Sequence, residues 1–128
     1  MTRAKRKIAV VEDNEDNRLL VELFLEDLYE VVSYESGREA LDGLRRERPD
    51  LVLLDISLPE MDGCMVLERI RADPEMKDLP VIALTAHAMA GDRERYLALG
   101  FDEYVPKPID EEQVLLDVIA QCLGKTAR

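Results

Sequence analysis

The sequence predicts a doubly wound α/β domain, a five-stranded parallel sheet with helices on both faces, and three observations carry that prediction. Short apolar runs alternate along the chain with longer segments of helical period. Three of those runs are apolar throughout, as expected of strands covered on both faces. The length of 128 residues suits one domain of this kind, and 47% apolar with 35% charged residues is the composition of an ordinary globule, without a run long enough to cross a bilayer.

The first strand is expected at 8–11, after a basic stretch, 1–7, that carries Arg3, Lys5, Arg6 and Lys7 and is expected to be a tail. The apolar run behind it is too short for a signal-peptide core. In the first helix, Leu19, Leu20, Leu23, Phe24 and Leu28 recur at helical spacing and are expected to face the core. The second strand falls at 31–34, and Ala40, Leu41 and Leu44 mark the second helix. A strand at 51–54 precedes a third helix, with Val66, Leu67 and Ile70 inward. The fourth strand is expected at 81–84, followed by a helix at 92–99 that Gly100 terminates. A fifth strand at 103–105 leads to the last helix. There Val114, Leu115, Val118, Ile119 and Cys122 form the inward stripe, Glu111, Glu112, Asp117 and Gln121 are left to solvent, and 124–128 is expected as a short tail.

Strand and helix alternation of this kind implies right-handed crossovers and parallel pairing. Ser33 in the second strand and Asp102-Glu103 at the start of the fifth assign those two to the edges. That agrees with the order 2-1-3-4-5, one of the two common doubly wound arrangements. No repeat or linker divides the chain, so a single domain over 1–128 is expected.

The formal charge is −11, and the body of the molecule is more acidic still once the basic start is set aside. Such a surface repels phosphate backbones, which argues against direct nucleic-acid binding. Cys64 and Cys122 lack C-x-x-C spacing and are expected as small apolar residues in a reducing compartment. A cytoplasmic protein with no membrane contact is the expectation.

Ligands of a doubly wound sheet gather beyond the carboxyl ends of the strands, where the strand order reverses. The first strand ends in Glu12-Asp13, the third in Asp55, the fourth in Thr85 and the fifth in Lys107-Pro108. Three carboxylates brought close repel one another, and a hard divalent cation with oxygen ligands is the simplest compensation. The donor set favours Mg²⁺ over zinc, which prefers nitrogen and sulfur. Asp55 could then attack phosphorus, with Thr85 and Lys107 contacting the transferring oxygens.

The segments Val10-Val11-Glu12-Asp13-Asn14, Leu53-Leu54-Asp55, Leu58-Pro59-Glu60-Met61-Asp62-Gly63, Leu84-Thr85-Ala86 and Lys107-Pro108 together resemble response-regulator receiver domains, stand-alone chemotaxis regulators among them, over almost the whole chain. The resemblance implies a flavodoxin-like fold and a signalling switch of a two-component system or phosphorelay. It implies Asp55 as phosphoacceptor, Asp13 as a direct metal ligand, Glu12 as a ligand through water and Ser57 as a backbone-carbonyl ligand. It also implies a cis peptide between Lys107 and Pro108. Ser57 and His87 stand where the family tunes phosphoryl lifetime, and Thr85 with Tyr104 where it carries a switch. The donor would be a histidine kinase or histidine phosphotransfer protein. A downstream protein would read the face formed by the fourth helix, fifth strand and fifth helix.

Two other classes fit less well. A flavin-binding module of this fold needs a first loop that welcomes phosphate, whereas Glu12 to Asp16 is almost wholly acidic. A magnesium-dependent phosphatase with an Asp-x-Asp motif uses its second aspartate as acid and base, and here that position is Ser57. No independent substrate turnover is therefore expected. Asp13 to Asn17 looks like the start of a calcium loop, but Arg18 replaces the required glycine and Phe24 the bidentate glutamate.

Overall fold

Strands and helices alternate strictly: β1 (Lys7–Val11), α1 (Glu15–Leu25), β2 (Glu30–Tyr34), α2 (Gly37–Arg46), β3 (Leu51–Asp55), α3 (Gly63–Ala72), β4 (Val81–Thr85), α4 (Asp92–Leu99), β5 (Glu103–Pro106) and α5 (Glu112–Thr126). This is a computed structural model, and it describes residues 5–86, 92–107, 109 and 111–126. The strands form one parallel sheet in the order β2-β1-β3-β4-β5, as the edge assignments implied. Lys7 pairs with Glu30 at the start of β1, so it belongs to the sheet rather than to the basic tail. At the other end, α5 continues through Gly124, where a C-terminal tail was expected.

Alternation along each strand sends side chains to two separate cores. On one face Ala9, Val11, Val52, Leu54, Val81 and Ala83 meet Ala40, Leu44, Val66, Leu67, Ile70, Tyr96 and Phe101, which come from the α2, α3 and α4 side. On the other, Ile8, Val10, Leu51, Leu53, Ile82, Leu84 and Val105 meet Val21 and Leu25 of α1 and Leu115, Ile119 and Cys122 of α5. β1, β3 and β4 lie between both layers, which is why they read as unbroken apolar runs.

Helix α1 departs from expectation. Val21 and Leu25 are its buried residues and Phe24 is half-buried, while Leu19, Leu20, Leu23 and Leu28 are exposed, Leu23 by 61%. Leucines lie on several sides of this helix, so apolar spacing alone could not decide which side turns inward. Its start decides instead. Asn14 caps the helix by accepting from the Asn17 N–H at 2.9 Å, directly after β1, and Arg18 donates to the Glu12 carbonyl at 3.0 Å. Val114 of α5 is likewise 41% exposed rather than core.

Two glycines have specific work in the turns. Gly100 ends α4 with φ of 115°, a left-handed conformation that costs a residue without Cβ little. Its carbonyl accepts from the Arg71 guanidinium at 3.1 and 2.7 Å, and Arg71 also donates to Leu79 O at 2.6 Å and to Asp102 at 3.0 Å. One side chain thus ties α3 to the C-terminal end of α4. Gly63 opens α3 against the exit of β3, where a Cβ would stand 2.4 Å from the Asp55 carbonyl oxygen.

Candidate functional site

The register of the sheet brings the strand ends into one row. Val11 lies beside Leu54, Asp55 beside Leu84, and Thr85 beside Pro106. The residue or two after each position therefore crowd one rim, with Glu12, Asp55 and Thr85 buried and Asp13 exposed. Backbone bonds fix the exits: Ile56 N–H donates to Leu84 O at 3.0 Å, and Lys107 N–H to Thr85 O at 2.7 Å.

Carboxylate oxygens of Glu12, Asp13 and Asp55 lie within 4.8 Å of one another. Lys107 Nζ stands 2.8 Å from Glu12 Oε1 and 3.0 Å from Asp55 Oδ2. The second oxygen of Asp55 accepts from the Ser57 N–H at 3.0 Å, and Glu12 Oε2 accepts from the Asn14 N–H at 3.2 Å. Glu12 Oε1, although beside the ammonium, receives no hydrogen bond of good alignment among the described residues. Burial pushes the Glu12 carboxyl up to about 7; the Lys107 ammonium pulls it down, and the nearby Asp55 carboxylate adds to the rise. For Lys107 burial opposes the charge, but the two carboxylates outweigh it and its acidity is weakened overall.

These residues fit a divalent cation. All donors are oxygen, one buried carboxylate oxygen has capacity left, and three carboxylates face one ammonium. An ion here, reached by Glu12 through water, would offset the repulsion that Asp55 adds to the effect of burial.

Every sequence-predicted residue of this group that is described converges on the rim. Ser57 also contributes something unforeseen, its N–H, which orients Asp55. Asn14 was missed as well, and its two jobs, capping α1 and donating to Glu12, follow from its place between a strand end and a helix start. Tyr96 was missed entirely: its phenol lies 2.9 Å from Thr85 Oγ1. Tyr104, the expected switch, is half-buried with its ring 5.8 Å from that of Tyr96. His87 and Pro108 lie outside the described residues, and with Pro108 the expected cis peptide.

Comparison with known proteins agrees with this geometry. The family described as response regulator receiver domain matches residues 8–119. The polar-differentiation response regulator DivK of Brucella anthropi is 42% identical over 120 residues, covering 93% of this chain and 97% of that protein. The sensor protein GacS of Pseudomonas syringae is 43% identical over 126 residues, but the chain spans only 14% of its length. Among solved structures, the receiver domain of a sensor histidine kinase from Pseudomonas aeruginosa, with a magnesium ion coordinated in its active-site cleft, has a TM-score of 0.85 at 36% identity, covering 94% of this chain and 99% of that one. The chemotaxis response regulator CheY4 of Vibrio cholerae has a TM-score of 0.85 at 27% identity, covering 93% and 99%.

Proposed function

The chain belongs to the response regulator receiver family of two-component signalling, and from that premise we propose that it is a switch that accepts a phosphoryl group on Asp55 in a Mg²⁺-dependent reaction and signals through altered protein contacts. The observation that carries the reading is the state of Asp55. It is 2% exposed, at the end of a central strand, with one oxygen held by a backbone N–H and the other by an ammonium, beside two further carboxylates.

Asp55 is the nucleophile. One of its oxygens forms the O–P bond as the P–N bond of a phosphohistidine donor breaks, and the imidazole leaves with the bonding electrons. The Ser57 N–H and Lys107 hold the carboxylate in one orientation, which lowers the entropic part of the barrier. Lys107, within 3.0 Å of Asp55, neutralises charge on the transferred oxygens, and the Thr85 hydroxyl donates to one of them. Asp13, Asp55 and the Ser57 carbonyl would hold Mg²⁺, with Glu12 acting through water. When bound, the ion would supply positive charge to the phosphoryl oxygens beside Asp55. Position 57, where a phosphatase of related chemistry has its proton-donating aspartate, offers only a serine, so the phosphoryl group is kept for a time rather than turned over.

A histidine kinase or histidine phosphotransfer protein is the donor, and a partner protein reads the α4–β5–α5 face. Intact mass after incubation with acetyl phosphate tests the chemistry. The expected result is a gain of one phosphoryl group with Mg²⁺, none with chelator, and none for Asp55→Asn. Phosphorylation of Asp55→Asn at the parental level would refute the assignment.

A further inference from the structure

The 2.9 Å contact between Thr85 Oγ1 and the Tyr96 phenol joins the rim of the site to α4, and none of the chemistry above uses it. Tyr96 is the one residue of α4 recorded as buried, at 3% exposure. Its ring meets Phe101 edge-on at 6.0 Å and Tyr104 tilted at 5.8 Å. The Arg95 guanidinium lies 5.1 Å above the ring, and its Nη2 donates to the phenol oxygen at 3.3 Å. Packing on three sides holds the ring, so the position of its hydroxyl is a property of α4.

We propose that Tyr96 is a positioning residue that moors Thr85 to α4 in the unphosphorylated domain, and that phosphorylation must break this bond before Thr85 can serve the phosphoryl group. The inference rests on the reading of Asp55 as phosphoacceptor and of Thr85 as a donor to the phosphoryl oxygens. Thr85 has further contacts of its own, and the inference concerns only the one that turns it toward α4.

Strand alternation supports the geometry. Val81 and Ala83 face the core under α4, so Thr85 does too, and its hydroxyl must leave that side to approach Asp55. A neutral hydroxyl pair is the weaker partner here, since a bond to a charged phosphoryl oxygen is about twice as strong. The release therefore goes forward. Afterwards the Tyr96 oxygen still accepts from Arg95, so the phenol keeps one hydrogen-bond partner. The carbonyl of Gly100 remains pinned by Arg71, which confines the loosening to the body of α4 ahead of its C-terminal end. A bond present in only one state biases the equilibrium by its own strength, so removing the phenol oxygen favours the phosphorylated form by about five-fold.

The test measures the affinity of the parent and of Tyr96→Phe for beryllofluoride, a phosphoryl mimic, by calorimetry with Mg²⁺. The Phe variant keeps the ring and is expected to bind about five-fold tighter. In a Thr85→Ala background the same substitution is expected to do nothing, whereas an effect on ring packing would persist there. Equal affinity of parent and Tyr96→Phe overturns the mooring, and so does an equal gain in both backgrounds. Failure of the parent to bind beryllofluoride would instead sink the receiver reading beneath it. A measurement on the parent alone needs no variant: amide exchange across 93–99 should quicken when beryllofluoride and Mg²⁺ are added. Unchanged or slower exchange there overturns the proposal.

Discussion

Replacing Gly63 by Ala tests whether the start of α3 braces Asp55, the proposed phosphoacceptor. The added Cβ would stand 2.4 Å from the Asp55 carbonyl oxygen, 2.8 Å from Ile56 Cα and 3.0 Å from the Asp55 carbonyl carbon. Non-bonded carbon atoms settle near about 3.5–4 Å, so the two backbone segments must part by about 1 Å. No flexible side chain is available to yield, because all three neighbours are main-chain atoms. The bond from Gly63 N–H to Ile56 O, 2.9 Å long, then passes out of range. Losing it costs about 1 kcal/mol and the overpacking about 1–3 kcal/mol more, which lowers Tm by about 7–15 °C for a domain of this size. The residue displaced is Asp55 itself, and misplacing a reacting group by about 1 Å costs up to about 10²-fold in rate. Thermal melting and the rate of phosphorylation by acetyl phosphate read the two effects. Gly124→Ala is the control, since its Cβ would meet nothing within 4 Å, and there the change should be neutral or slightly stabilising. A Gly63→Ala protein that melts within about 2 °C of the parent and is phosphorylated at the parental rate would refute the bracing argument.

Glu12 makes metal-free stability depend on pH. Its folded-state value, raised by burial to about 7 from an ordinary 4.5, means that its contribution is fully present below about 4.5 and is lost as pH rises through 7. In chelator the parent should therefore lose more Tm between pH 5.5 and 8 than Glu12→Gln does, and parallel curves for the two would contradict this. On α1, Leu19, Leu20 and Leu23 are exposed, and Leu20 with Asn17 lines a small depression shared with Lys107 and Ile109. Changing Leu19 and Leu23 to Ser should slow transfer from a phosphohistidine donor protein at least about tenfold while lowering stability only by the helix propensity lost, about 1 kcal/mol or less, and leaving acetyl phosphate labelling alone. An unchanged transfer rate would remove α1 from the donor surface.

Strand positions were legible to within a residue because a strand covered on both faces has to be an apolar run. The errors fall at the ends. The apolar runs at 51–54 and 81–84 stop one residue short of β3 and β4, because Asp55 and Thr85 end those strands with their backbones still paired in the sheet. The carboxylates, Thr85 and Lys107 could be grouped because topology alone sends the carboxyl ends of parallel strands to one rim. The inward side of α1 was not legible, since its leucines are spread around the helix and Asn14 and Arg18 set its rotation. Tyr96 was beyond reach for a different reason. Its contact with Thr85 crosses eleven residues and depends on how α4 lies on the sheet, which no spacing encodes.

The parity of the site residues explains how one rim serves two tasks. Along β1, Ile8 and Val10 face the α1–α5 core, and carrying the alternation forward puts Glu12 on that side. Leu51 and Leu53 do the same for Asp55, and Val105 for Lys107. The ion pairs of Lys107 with Glu12 and Asp55 agree with this shared side. Thr85 has the opposite parity, following Val81 and Ala83 toward α4, and so does Tyr104. Glu12, Asp55 and Lys107 are thus gathered on one side, and Thr85 begins on the other, bonded to Tyr96. A carboxylate or ammonium in Thr85's place could not cross between sides without a desolvation cost of several kcal/mol. A hydroxyl can cross by exchanging one hydrogen bond for another, which under the proposed mechanism would let Thr85 report the state of Asp55 to α4.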